Sequence, residues 1–222
     1  MQNTSAARRR LFTWVSLLTL AVVIVGTVIA ELPSRSQAGN GDGAATLNEL
    51  AVQGGGKYVS TLNTSRKFFY PDIDALAGRS SAIIVGTTLK NKSRLTTDKA
   101  HIITDYDVRV EQVLKGGVQQ GSTVNVIMHG GRVEFPDGTS AEIKPSTQLM
   151  GKNRTYILFL TESGEGRGAF ELSRIPQGYF ALSPDGGRIE YDAVRQNDPL
   201  IQKYKDQSAQ TLLANIRAAA RK

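Results

Sequence analysis

Tyr106-Asp107-Val108-Arg109-Val110-Glu111-Gln112-Val113-Leu114 is the stretch whose reading decides the fold. Apolar and charged residues alternate with a period of two. That period puts Tyr106, Val108 and Val110 on one face of a strand and Asp107, Arg109 and Glu111 on the other. The alternating charges suit a solvated face. The phase slips at Val113, which is apolar where a polar residue is due, so a bulge is expected near Gln112. Bulges bend strands into closed sheets. The strand starts at His101 and stops at Lys115-Gly116-Gly117.

Working outward, the flanks read as more strands. Ser81 to Thr87 is an apolar run that suggests burial on both faces, followed by a polar loop from Lys90 to Lys99. Val124 to Met128 is the next strand. Val133 to Phe135 and Ala141 to Ile143 flank Pro136-Asp137-Gly138 and form a hairpin. Tyr156 to Leu160 is a buried central strand. Phe170 to Ile175, Tyr179 to Leu182 and Arg188 to Tyr191 are short strands, separated by Gly164, Gly166, Gly168 and the turn Asp185-Gly186-Gly187.

Helices are few. Asp72 to Gly78 makes one or two turns, with Asp72 as N-cap and Gly78 as the stop. A terminal helix spans 198–222, capped by Asp198 with Pro199 at its first position. Its stripe is Ile201, Tyr204, Leu212, Leu213, Ile216 and Ala220, which suits packing onto the β domain. Many short strands with Gly-rich turns, no repeat and no strand–helix rhythm predict a mainly β fold, a small partly open barrel with a C-terminal helix.

The N-terminus places the domain. Arg8-Arg9-Arg10 precedes 20 uncharged, largely apolar residues, Leu11 to Ala30. A helix of that length spans roughly 30 Å, the hydrocarbon thickness of a bilayer. Cations stay on the cytoplasmic side, so residues 1–10 are expected inside, 11–30 in the membrane and the remainder outside. A signal peptide cut after Ala30 is the alternative, and it too exports the rest. Residues 31–57 read as a flexible tether, with a short helix over Thr46 to Val52. The β domain then covers 58–197.

Composition removes several functions. The chain of 222 residues has 27 Lys and Arg against 20 Asp and Glu, and three of those cations are Arg8 to Arg10. The high pI is therefore partly a topology signal. There is no cysteine. That excludes a lipoprotein anchor, sortases, cysteine transpeptidases and thiol–disulfide oxidoreductases, all of which need a thiol.

The pattern Ser81 to Thr87, Tyr106 to Gly116, Gly121, Val124 to Val126, Gly151 and Tyr156 to Leu160 resembles uncharacterised exported bacterial domains. It is also similar to the netrin-like domains, including the tissue inhibitors of metalloproteinases, over residues 80–162. The resemblance implies an OB-type barrel. Those inhibitors reach their target's zinc through an N-terminal cysteine, which this chain lacks, so their mechanism does not carry over.

The chemical candidates are sparse. His129-Gly130-Gly131 resembles an oxyanion loop but has no G-x-S-x-G partner, so His129 reads as a polar strand end. His101, Asp105, Asp107 and His129 lack the spacing of a metal set. Ser34 and Ser36 lack a signal-peptidase context, and Lys152 has no serine partner. Gly39 to Gly43 lacks the strand and Gly-Lys-Ser/Thr of a phosphate loop. Arg66 to Tyr70 mixes cations and aromatics, but export argues against nucleic acid, and Phe69 and Tyr70 suit packing. The sequons at Asn63, Asn91 and Asn153 matter only in a glycosylating host. No catalytic, metal or cofactor residue is assigned. The expected function is a membrane-anchored, non-enzymatic binding domain whose partner is an envelope protein or an anionic wall polymer. A hydrolase with dispersed carboxylates, such as Asp105 with Glu134, is one alternative. A structural subunit of a membrane complex is the other.

Overall fold

A computed structural model describes residues 45–62, 69–145, 148–165, 168–173, 175, 177–190 and 198–222. The expected membrane segment at 11–30, the tether as far as 44, Ser34, Ser36, Gly39 to Gly43, Asn63 and Arg66 to Phe68 lie outside the described residues. No described helix is long and apolar enough to cross a membrane.

The chain runs α1 (Leu47–Gln53), β1 (Lys57–Thr61), α2 (Ile73–Arg79), β2 (Ala82–Leu95), β3 (Ile102–Lys115), β4 (Thr123–His129) and β5 (Gly131–Glu134). It continues with β6 (Ser140–Lys144), β7 (Thr155–Glu162), β8 (Ala169–Leu172), β9 (Tyr179–Leu182), β10 (Ile189–Glu190), α3 (Pro199–Tyr204) and α4 (Ala209–Ala220). The fold is mainly β with C-terminal helices. One sheet orders β10-β9-β7-β2-β3-β4-β8, and β8 pairs both with β4, in parallel, and with β7, antiparallel. A second sheet orders β1-β6-β5.

β3 behaves as its alternation requires. Tyr106, Val108 and Val110 are buried, while Arg109 and Glu111 face solvent. The pairing of Val85 with Gln112 is followed by Gly86 with Val110, so Glu111 is the extra residue of a bulge beside Gln112. A second skip passes Leu114. Each skip lets the strand bend without losing its apolar face.

The strands of the larger sheet have two apolar faces. On one, Ile83, Val85, Ile157, Phe159 and Phe180 pack against Ile73 and Leu76 of α2, Ile201 of α3 and Leu212 and Ile216 of α4. On the other, Ile84, Tyr106, Val108, Val126, Met128, Leu158 and Leu160 form a second core, with Met150 packed among them. β7 is buried on both faces, as its unbroken apolar run predicts.

Several expectations change. The polar loop expected from Lys90 to Lys99 is largely strand. β2 runs on to Leu95, paired with β3 as far as Ile102. Its composition is polar because Lys90, Lys92 and Arg94 face solvent, while Leu95 on the reverse face joins Ile102, Ala141 and Ile143 beneath the smaller sheet. The single terminal helix is two helices. Asp198 and Pro199 start α3 as predicted, but the chain turns at 205–208 and Ser208 caps α4 by accepting from Thr211 N–H. Gly78 does not stop α2, which continues to Arg79 and ends at Ser80. The short helix in the tether runs Leu47–Gln53 and is anchored. Thr46 and Glu49 close a capping box, and Leu47 and Ala51 are buried.

Candidate functional site

The outward face of β2, β3 and β4 builds a cleft. Strand register sets its side chains in rows across the sheet. Lys90 stands opposite Asp107, and Asp107 opposite Asn125, which pairs on to Ala169 of β8. One row further, Lys92 stands opposite Asp105, and Asp105 opposite Ile127. The next row is Arg94, Ile103 and His129. Because side chains two apart share a face, the pattern Lys-x-Lys-x-Arg on β2 and Asp-x-Asp on β3 makes a cationic rail beside an acidic one. The first two rows and Arg94, with Glu165 from the β7–β8 connection, line a cleft of about 660 Å³.

The rails pair across strands. Lys90 Nζ lies 3.1 Å from an Asp107 oxygen. Arg94 donates from Nε to Asp105 Oδ2 over 2.6 Å and from Nη2 to Oδ1 over 3.3 Å, a forked contact that fixes both planes. The hydrogen bond to Asp105 holds the Arg94 guanidinium above its ordinary value, with Glu165 adding to the effect. Beneath the ions, Ile103, Ile127 and Ala169 form a small apolar floor, all buried.

The sequence candidates separate in space. Asp105 and Asp107 share the cleft, but each holds a cation. Glu134 sits on the smaller sheet, 3.2 Å from Arg132, and does not line the cleft with Asp105. His129 stands across from Ile103, and His101 precedes β3. Among the described residues, no three His, Asp or Glu side chains gather as a metal set. Lys152 is exposed in the turn before β7. Tyr70 packs against the helical core, and Phe69 is 36% exposed.

His129-Gly130-Gly131 is a structural joint between β4 and β5. Gly130 and Gly131 have φ of 103° and 134°, and a Cβ on Gly131 would collide with the Ser93 and Thr104 hydroxyls. Thr104 Oγ1 donates to Gly130 O over 2.6 Å, which locks the joint.

Sequence reasoning missed Lys90, Lys92, Arg94, Asn125, Ile127 and Glu165. The signal was the period-two spacing of the three cations, mirrored by Asp105 and Asp107. No family model matches this chain, and a search of curated proteins returns no match.

Proposed function

We propose that the chain is a non-enzymatic binding domain of the cell envelope. Its N-terminal segment anchors it in the cytoplasmic membrane or is cut after Ala30, and its partner, an envelope protein or an anionic wall polymer, occupies the β2–β4 cleft. The observation that carries this reading is the cleft itself, a polar recess with an apolar floor, four of whose charged side chains pair across strands. Preset polar groups around a small apolar floor suit recognition more than chemistry. Of the carboxylate pair weighed for a hydrolase, Asp105 is engaged by Arg94 and Glu134 lies beside Arg132 on the smaller sheet.

The finer fold belongs to the same proposal. Because β8 pairs with both β4 and β7, the pairings lead from β7 through β2, β3 and β4 and back by β8. A three-strand meander returned through one parallel pair supports a five-stranded OB-type barrel of the netrin-like kind. In that frame the cleft lies on the outer wall.

Two arms test the reading. The chain has no cysteine, so Gln119→Cys introduces a unique label site. A membrane-impermeant maleimide should label it in intact spheroplasts; labelling only after lysis rejects the topology. Cross-linked envelopes should then yield a partner with the native chain that is lost with Asn125→Trp, which fills the cleft. Equal recovery from both rejects the site.

A further inference from the structure

Among the described residues the cleft's charges balance, and this narrows what it takes. Four of the six charged side chains described in its lining are spent on one another, Lys90 on Asp107 and Arg94 on Asp105. Two are not. Lys92 stands directly opposite Asp105, yet both Asp105 oxygens accept from Arg94. Among the described residues no acid lies within ion-pair distance of Lys92, and no cation within that distance of Glu165. Glu165 enters from the β7–β8 connection, beyond β4 and β8, while Lys92 belongs to β2 on the far side of β3. Between them lie the Asn125 amide and the short apolar surface of Ile127 and Ala169.

A polyanion fits this pattern poorly. Its repeated charges would meet Asp105, Asp107 and Glu165 as well as the cations, and the described charges of the lining cancel locally. A neutral chain would leave Lys92 and Glu165 without an ion-pair partner, Glu165 meeting Arg94 only from beyond that distance. A ligand with one anionic end, one cationic end and a small amide-bearing body meets every group. Resting on the binding reading above, we infer that the cleft takes a short zwitterionic peptide segment. Its carboxylate sits against Lys92 and its ammonium against Glu165.

The probe is tetra-alanine with free ends, titrated into isotope-labelled full chain in detergent micelles and followed by the amide resonances of Asn125 and Ile127. Binding is expected there. Amidating the carboxyl end or acetylating the amino end should each weaken it roughly threefold, the scale of a part-exposed ion pair. Lys92→Ala should abolish the penalty of amidation alone, and Glu165→Gln that of acetylation alone. Equal affinity for the three peptides, no cleft response to any of them, or preferential binding of poly-glutamate overturns the inference. A partner captured through the cleft alongside indifference to peptide charge removes this inference and leaves the binding reading standing.

Discussion

Gln177 Nε2 donates to Asp198 Oδ1 over 3.1 Å, and the same amide clasps Tyr70 from both sides. Tyr70 N–H donates to Gln177 Oε1 over 2.8 Å, and Gln177 Nε2 also donates to Tyr70 O over 3.1 Å. Gln177 is fully buried. One side chain thus joins the approach to α2 to the cap of α3, where Asp198 Oδ1 also accepts from Leu200 N–H. Gln177→Leu keeps most of the volume but strands these buried partners. A loss of about 2–3 kcal/mol is expected in urea melts. A loss below about 0.5 kcal/mol would show that water replaces the clasp.

Gly131→Ala should be far worse than its chemistry suggests. The new methyl meets two hydroxyls that are themselves bonded, Ser93 Oγ to Thr104 Oγ1 over 2.9 Å, at a φ that L-residues rarely adopt. Gly55, also at positive φ but in open space, is the control. Thermal melts should show Gly55→Ala costing about 1 kcal/mol and Gly131→Ala at least about 2 kcal/mol more.

Arg94→Ala separates stability from recognition. Its ion pair with Asp105 is part-exposed on both sides, so the fold should lose only about 1 kcal/mol or less. Partner capture through the cleft should nevertheless fall sharply, because Asp105 is left unpaired beside the ligand. Unchanged capture would remove Arg94 from the site.

Alkaline pH should unfold the domain through its buried tyrosines. Burial pushes the hydroxyls of Tyr106 and Tyr156 above their ordinary value. Stabilisation from a raised group is complete below the unfolded value, near about 10 for tyrosine, and is lost as pH rises through the folded one. Melting temperature should therefore hold to about pH 9.5 and then fall. The phenolate absorbance should show a fraction that titrates only on unfolding. Tyr106→Phe should flatten the fall, since it removes a fully buried hydroxyl whose ionisation burial opposes. All seven tyrosines titrating freely in the folded state would contradict it.

The strand pattern was legible wherever one face was apolar. Tyr106, Val108 and Val110 alternate cleanly, and the slip at Val113 marks the bulge. Asp198-Pro199 announced α3 because a cap and a fixed φ act locally. The second half of β2 was hidden because its solvent face is wholly charged and its other face begins with Asn91 and Ser93. Only Leu95 reports the smaller sheet, whose β5–β6 hairpin is local but gains β1 from far away in sequence. The break between α3 and α4 was masked by an apolar stripe that continues across it. The cleft was half visible. Asp105 and Asp107 stood out as carboxylates, but their partners Arg94 and Lys90 were read as loop. Glu165 joins them only through the parallel pairing of β8 with β4, which no local pattern reveals.

The most direct measurement is photo-cross-linking in intact cells from a photoreactive residue placed at Asn125 in the cleft, with Gln210 on the exposed face of α4 as comparison. The expected result is a discrete, ultraviolet-dependent product from the cleft position, weakened with Lys92→Ala and absent from the helix position. The same products from both positions, or none from the cleft, would contradict a binding domain that works through the β2–β4 face.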